Sequence, residues 1–340
     1  MEMMLLLLIL GFIVAFAIGS NDEAMSPAVG ARILTVNTAV VLGALATSIG
    51  AALIGGVVSE TVGSDLVGGR DMTPGMVLAI LAAMSIWLFV VSASKGLPIS
   101  TTQCVVGSVL GVVIFGPLAG ETDWGPEAID WLVIGRIAAG WALSPVIGFL
   151  ISSLVVMAMR RTQKKARGLV SYEKQERLAA RGLLVFLLLT CFSRGGNDVA
   201  NAIAPLFALA DFRGSFMLGT LLLDAWVIPL IVGAVGMAFG LVLVGRRVVR
   251  TLATGIVTLS PSTALAASVS VSLVLFVGTI LGLPLSGTHV LVASLIAVGW
   301  VERTSARTQQ VRDIIISWLI TVPLSALLAF GVLVLINAAT

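Results

Sequence analysis

The sequence predicts an all-α polytopic membrane protein made of two halves with inverted topology. Three observations predict it: a composition too apolar for a soluble domain, two motifs that each occur twice in the same order, and loops whose net charge changes sign between the halves. Broken helices and two re-entrant helical hairpins bring the expected number of membrane segments to about 10–12, counting half-helices.

The composition is typical of an integral membrane protein. Of the 340 residues, 58% are hydrophobic and only 11% are charged, whereas soluble domains carry about 25% charged residues. One histidine and two cysteines make a zinc or haem site improbable, and no basic-aromatic pattern points to nucleic acid. Apolar runs of spanning length, about 20 residues, cover 36–58, 76–94, 129–159, 215–244, 262–281 and 314–338, and shorter runs cover 3–18, 104–115, 183–192 and 290–301.

Two motifs recur in order and indicate an internal duplication. Residues 19–24 read GSNDEA and residues 195–200 read GGNDVA; residues 96–102 read GLPISTT and residues 282–288 read GLPLSGT. We therefore predict a first repeat at 1–159, a basic loop at 160–181 and a second repeat at 182–340.

Loop charge sets the predicted orientation, because basic loops stay in the cytoplasm. The net charge is −2 for 59–75 and −4 for 116–130, but +3 for 245–261, +1 for 301–313 and +6 for 160–181. Equivalent loops of the two halves thus fall on opposite faces of the membrane. The duplication is predicted to be inverted, with both termini extracellular and 160–181 cytoplasmic.

The segment GLPISTTQ, residues 96–103, lies between two apolar runs, 76–94 and 104–115, and interrupts them with glycine, proline and hydroxyl residues. Proline cannot continue a helix, so Ser100, Thr101 and Thr102 are expected to start a new one, where hydroxyls cap and backbone N–H groups lack intrahelical partners. In lipid such groups must face protein or a water-filled cavity, and a helix N-terminus favours an anion. Two copies meeting near the midplane predict a site for a tetrahedral oxyanion; the alternative is a helix break capped by its own hydroxyls.

An Asn–Asp pair interrupts an apolar segment in each half, as Asn21–Asp22 and Asn197–Asp198. An ionised carboxylate at the membrane centre costs roughly 2.5–3.5 kcal/mol or more and marks a functional site. Carboxylate and amide oxygens suit a hard cation, and Na⁺ fits beside an anion that needs a counter-charge. Protonation of the aspartate and simple helix capping are the alternatives.

These motifs resemble those of the inorganic phosphate transporter (PiT) family of phosphate permeases. Its GANDVAN-type motif is similar to GSNDEAM and GGNDVAN, and its GLPxSTTH-type hairpin is similar to GLPISTTQ and GLPLSGTH. The resemblance extends over residues 8 to 335. It implies cation-coupled phosphate uptake by a homodimer with extracellular termini.

The resemblance also implies the site residues. Phosphate is expected at the hairpin residues and the motif asparagines: Ser100, Thr101, Thr102, Ser286, Gly287, Thr288, Asn21 and Asn197. The coupling cation is expected at the paired acidic motif, with Asp22 and Asp198 as the carboxylate ligands of Na⁺ and Asn21, Asn197 and Asn201 as amide ligands.

The chain departs from the family pattern at several site positions. Met25 stands where the second half has Asn201, Gln103 replaces a histidine that His289 keeps, and Gly287 replaces a threonine. Glu23 replaces a valine; it could titrate or reach water in a vestibule. Arg194, directly before the second motif, could lend positive field to an anion or extend to the interface.

The expected function is secondary active symport of inorganic phosphate by alternating access, with Na⁺ preferred over H⁺ as coupling ion, no other cofactor and no enzymatic activity. A permease of the same architecture for sulfate or another oxyanion is the first alternative, and a passive anion channel is the second. The expected setting is the plasma membrane, with the lipid bilayer and a second copy of the chain as partners.

Overall fold

The computed structural model describes residues 2–95, 99–165, 168–212, 214–218, 221–255, 258–304 and 308–339. The described residues form thirteen α-helices, four short 3₁₀ or π turns and one two-stranded β-hairpin. The helices are α1 Glu2–Ser20, α2 Ser26–Gly30, α3 Val36–Gly63, α4 Pro74–Lys95, α5 Thr101–Ala119, α6 Trp131–Lys164, α7 Leu169–Arg194, α8 Ala200–Phe207, α9 Val227–Leu243, α10 Arg246–Gly255, α11 Pro261–Ile280, α12 Gly287–Glu302 and α13 Thr308–Ala339.

The predicted helical membrane architecture is confirmed. Within the described ranges, seven helices are long and apolar enough to span a membrane. The pair α9 and α10, bent by 61°, makes an eighth span if it is counted as one, and α4 and α12 contain shorter apolar helices. Together these elements reach the lower end of the predicted 10–12 segments. Gly96, Leu97 and Pro98, where the first hairpin break was predicted, lie outside the described residues.

One predicted span is wrong in its first part. The run 215–244 was expected to be a single helix, but β1 Ser215–Leu218 and β2 Leu221–Asp224 pair antiparallel before α9 begins at Val227. The stretch before Asp224, residues 215–223, is short, and a short apolar stretch fits a strand as well as a buried helix. Asp224 interrupts the apolar run and ends the second strand.

The basic segment 160–181 is helical over most of its length rather than an open loop. α6 extends to Lys164 and α7 starts at Leu169. The guanidinium of Arg160 donates to both carboxylate oxygens of Glu302 at 2.7 Å. Glu176 accepts from the backbone N–H and the hydroxyl of Ser262 at 3.0 and 2.7 Å. Side chains of this segment thus tie α6 and α7 to the start of α11 and the end of α12.

The halves pack on one another reciprocally. α5 lies against α13, and its counterpart α12 lies against α6, the counterpart of α13; likewise α1 packs on α9 while α7 packs on α3. A two-fold relation between the halves would produce such exchange, although the inverted axis itself stays a prediction. The largest buried apolar cluster includes side chains of α1, α4, α5 and α8.

Candidate functional site

The first Asn–Asp motif lies in a true helix break. α1 ends at Ser20 and α2 begins at Ser26, and Asn21 and Asp22 between them are buried. The Asn21 side-chain amide donates to the carbonyl of Ala17 at 3.0 Å, and Asp22 Oδ1 accepts from the Ala24 N–H at 2.9 Å. The other two side-chain oxygens, Asn21 Oδ1 and Asp22 Oδ2, are buried and have no hydrogen-bond partner among the described residues. The break therefore presents an amide oxygen and a carboxylate oxygen that are free to bind a ligand.

The second motif keeps its helical path. Residues Gly195–Val199 form one π-helical turn between α7 and α8, and such turns are frequent at functional sites. The Asn197 amide donates to the Leu283 carbonyl at 3.0 Å, in the connection between α11 and α12. The Asn201 amide donates to Asn197 Oδ1 at 3.3 Å, which leaves the buried Asn201 Oδ1 without a partner in the described part of the chain.

Both hairpin motifs open a helix with a serine cap, as predicted. Ser100 caps α5 and accepts from the Gln103 N–H, and Ser286 caps α12 and accepts from the His289 N–H, each at 3.4 Å. The Ser100 and Thr102 hydroxyls lie 3.0 Å apart. All of these side chains are buried. Two capped helix N-termini, each with first-turn N–H groups that lack intrahelical partners, thus lie inside the protein.

Arg194 joins the two kinds of motif. Its Nε donates to Asp198 Oδ2 at 2.8 Å, and its Nη1 donates to Glu23 Oε1 at 2.8 Å and lies 3.2 Å from Asp22 Oδ1. The Arg194 side chain is 5% exposed. Three buried carboxylates thus converge on one buried guanidinium, and removing Arg194 would leave them uncompensated, a loss that costs roughly 3–5 kcal/mol in buried ion pairs.

The threonines of both hairpins donate to these carboxylates. The Thr101 hydroxyl donates to Asp198 Oδ1 at 3.4 Å, and the Thr288 hydroxyl donates to Glu23 Oε1 at 3.0 Å. The chain of contacts runs Thr101, Asp198, Arg194, Glu23, Thr288. It links the N-terminus of α5 to that of α12, so the residues of the two halves form one site.

The structure brings four of the predicted residues into one cluster and adds two. Asp22 and Asp198 contact Arg194 directly, and Thr101 and Thr288 donate to Asp198 and Glu23. Asn197 contacts the connection before α12 rather than a hairpin hydroxyl, and Ser100 and Ser286 serve as caps.

Glu23 and Arg194 were absent from the predicted ligand set. The expectations that Glu23 reaches vestibule water or that Arg194 extends to the interface are wrong, because these residues are 1% and 4% exposed. The four-residue spacing of Arg194 and Asp198 on a helix was the available signal.

The donor set fits a hard cation better than a soft transition metal. Among the described residues, no group of three or more His, Cys, Asp or Glu side chains is arranged to hold a metal ion. Among the described residues of the two Asn–Asp motifs, three buried oxygens lack partners; those of Asn21 and Asn201 are amide oxygens and that of Asp22 is a carboxylate oxygen. Oxygen donors of this kind suit alkali and alkaline-earth ions.

A helical membrane protein with interrupted spans and a buried, charged site at helix N-termini has the architecture of a transporter. Comparison with known proteins identifies the family to which this chain belongs. The model of the phosphate transporter family matches residues 18–329. The chain belongs to this family, whose members are phosphate permeases rather than enzymes.

Similar proteins cover nearly the whole chain. A putative phosphate permease of Pyrococcus horikoshii is 29% identical over 98% of both chains. The chloroplastic inorganic phosphate transporter 2-1 of Arabidopsis thaliana is 30% identical over 95% of this chain and 70% of its own. A solved structure described as the sodium-dependent phosphate transporter superposes with a TM-score of 0.84 at 25% identity, covering all of both chains. Family and relatives identify this chain as an integral membrane phosphate transporter.

Proposed function

We propose that this chain is a secondary active transporter that couples phosphate uptake to Na⁺ by symport and alternating access. The observation that carries the proposal is the single buried cluster joining both hairpin N-termini to both Asn–Asp motifs. Substrate and coupling ion would then bind in contact with one another. The sodium-dependent transporter to which the chain is similar supports Na⁺ over H⁺.

Phosphate would be held between the N-termini of α5 and α12. Backbone N–H groups there point away from the helix and its dipole favours an anion, while the hydroxyls supply further donors and the motif amides can donate as well. The proposed phosphate ligands are Ser100, Thr101, Thr102, Ser286, Gly287, Thr288, Asn21 and Asn197.

The coupling cation would bind at the acidic motifs. Asn21 Oδ1, Asp22 Oδ2 and Asn201 Oδ1 are buried oxygens that have no protein donor within the described residues, and a buried acceptor without a partner costs roughly 1–3 kcal/mol. A cation removes that cost. Asp198 and Asn197 complete the proposed ligand set, although in this conformation Asp198 is engaged by Arg194 and Thr101.

Charge explains why the two ligands would travel together. Three buried carboxylates face one guanidinium, so an anion entering alone meets a site with an excess of negative charge, and that repulsion is strong where water is excluded. A cation at Asp22 offsets the excess, and phosphate in turn offsets the cation. Each ligand therefore raises the affinity for the other, and the effect is reciprocal.

Uptake of labelled phosphate into proteoliposomes tests the proposal. The arms are an inward Na⁺ gradient, an inward H⁺ gradient and no gradient, each with and without excess unlabelled sulfate. We expect concentrative uptake with the Na⁺ gradient only. Uptake driven by H⁺ alone would overturn Na⁺ coupling, and uptake that never exceeds equilibration would identify a passive channel.

Sulfate is the alternative substrate, and the buried carboxylates argue against it. Phosphate near neutral pH still carries a proton that it can donate to an acceptor, whereas sulfate has none. Asp22, Glu23 and Asp198 line the proposed site with carboxylate acceptors. Sulfate should therefore compete poorly; equal competition would mean that the site selects oxyanions by shape alone.

Orientation and assembly are part of the proposal. The start of α1 and the end of α13 would face the cell exterior, and 160–181 the cytoplasm of a plasma membrane, because that segment carries a net charge of +6. A homodimer is the proposed assembly. Both natural cysteines are buried, so single cysteines introduced at Lys164 and at Glu2 can be labelled from either side of sealed vesicles to test the orientation.

A further inference from the structure

Three positions at which the two repeats differ lie in contact with one another. Arg194 stands where the first half has Ile18, Glu23 stands where the second half has Val199, and Gly287 stands where the first hairpin has Thr101. Arg194 Nη1 donates to Glu23 at 2.8 Å. A Cβ built on Gly287 would lie 3.0 Å from Arg194 Nε and 3.1 Å from its Cζ. Three separate departures from symmetry therefore form one structural unit.

The guanidinium of Arg194 occupies the space that a side chain at position 287 would need. In the first hairpin the equivalent residue, Thr101, supplies a hydroxyl donor directed at Asp198. The second hairpin has no side chain there, and Arg194 brings N–H donors to the same place. Arg194 thus substitutes for the missing hydroxyl, with a fixed charge and a planar fork that matches oxyanions.

The carboxylate of Glu23 occupies the position of an oxyanion at this site. Its Oε1 accepts from the Thr288 hydroxyl at 3.0 Å and from Arg194 Nη1 at 2.8 Å. One of these donors is a proposed phosphate ligand at a helix N-terminus and the other is a guanidinium. A carboxylate and a phosphate accept the same donors, and the Thr288 hydroxyl has one O–H to donate, so phosphate and Glu23 compete for that donor and for the Arg194 N–H that Glu23 holds.

We propose that Arg194 is a phosphate ligand and that Glu23 is a tethered carboxylate which phosphate displaces from Arg194 and Thr288. The inference rests on the proposed function and adds two residues to its substrate site. Once displaced, the Glu23 carboxylate no longer pairs with the Arg194 guanidinium. It then lies next to Asp22 and close to the proposed coupling ion. Phosphate binding would thus create an additional acceptor for the cation, and the exchange itself would couple the two ligands.

Variants that exchange residues between the repeats test the inference. Arg194→Ile, Glu23→Val and the double variant use the residues found at the equivalent positions of the other half. The double variant removes one positive and one negative charge together, so the site keeps its net charge. The measurement is the phosphate Kd of the purified protein in saturating Na⁺ by isothermal titration calorimetry, with the phosphate KM of uptake as second readout.

The double variant shows whether Arg194 binds phosphate or only neutralises the charge of Glu23. If Arg194 binds phosphate, the phosphate Kd of the double variant should be about tenfold or more above that of the wild-type protein, although Glu23 is also absent. The reason is that a hydrogen bond to a charged group is worth roughly 1.5–3 kcal/mol. Glu23→Val alone should lower the Kd, because the competitor is removed and the donor remains. A wild-type Kd in the double variant would overturn the inference.

Two further variants keep the test decisive if a substitution impairs folding. Arg194→Lys keeps the charge and loses the planar fork, so a raised Kd supports ligation and a wild-type Kd contradicts it. Adding Gly287→Thr to the double variant restores the hydroxyl of the first hairpin and should recover part of the lost affinity; no recovery would contradict the replacement of that hydroxyl by Arg194. If the wild-type protein fails to take up phosphate, the proposed function itself is overturned. If the wild-type protein takes up phosphate and the double variant keeps the wild-type phosphate Kd, only this inference is overturned.

Discussion

The same Asn–Asp pair adopts two backbone conformations in the two halves. Around Asn21–Asp22 the chain leaves the helix for five residues, whereas around Asn197–Asp198 it stays helical through one π turn. Pro27, whose equivalent in the second half is Ile203, explains the difference. A proline lacks the N–H that would bond to the carbonyl four residues earlier and its ring clashes with that carbonyl, so the helix restarts at Ser26.

The difference teaches that duplicated motifs can divide their tasks. In the broken copy, Asn21 and Asp22 each keep one buried oxygen without a partner in the described chain. In the helical copy, both oxygens of Asp198 accept hydrogen bonds and Asn197 braces the hairpin connection. The first motif is therefore suited to take up an ion, and the second to hold the guanidinium and the hairpins in place.

Neutralising Asp22 and neutralising Asp198 should lower the apparent Na⁺ affinity to different extents. The loss in the Asp22 variant is the largest effect we expect. Asp22→Asn should lower the apparent Na⁺ affinity by at least about 100-fold, beyond the 10–100-fold typical of outer-shell partners, because it removes the charge of a ligand with a free oxygen. Asp198→Asn should cost Na⁺ affinity less. Na⁺ activation curves of phosphate uptake measure both, and equal losses would contradict the division of tasks.

Filling the space beside Arg194 should come next in size. In Gly287→Ala the new Cβ would lie 3.0 Å from Arg194 Nε, so the guanidinium must shift, at the roughly 1–3 kcal/mol typical of overpacking. We expect a phosphate KM raised about tenfold. Gly135→Ala on α6 is the matched control, because a Cβ there meets nothing within 4 Å; an equal rise in both variants would show that the effect is not local.

Closing the helix break should have a moderate effect. Pro27→Ala favours a continuous helix, since proline is about 3 kcal/mol worse than alanine in a helix interior. The Na⁺ affinity should fall severalfold while phosphate affinity at saturating Na⁺ changes little. Pro205→Ala, at a proline that α8 already accommodates, serves as control. An unchanged Na⁺ activation curve for Pro27→Ala would mean that the break does not shape the cation site.

The smallest effect is expected at the ion pair between the halves that lies away from the site. Arg160 and Glu302 form a bidentate pair, but their side chains are 39% and 26% exposed, and such pairs contribute about 1 kcal/mol or less. Arg160→Gln should lower the melting temperature in detergent by a few degrees at most and leave the phosphate KM unaltered. A changed KM would show that this pair, too, is coupled to transport.

Hydropathy and repetition predicted most of the architecture, because lipid demands long apolar helices and a duplication leaves matched motifs. The strands at 215–224 escaped prediction, since a short apolar run does not distinguish helix from strand. The contact of Arg194 with Glu23 also escaped, because 171 residues separate them and no local pattern joins them. The sequence predicted an interruption at both Asn–Asp pairs, but it did not predict that only the first would break its helix, and only the folded chain shows which oxygens that break leaves without donors.

The most direct test of the account is the phosphate Kd of the purified wild-type protein with and without saturating Na⁺, together with the Na⁺ affinity with and without phosphate. Reciprocal coupling requires both affinities to change by the same factor, and we predict at least a tenfold tightening of each. A phosphate Kd that is independent of Na⁺ would contradict the claim that the two ligands share one buried, charge-balanced site.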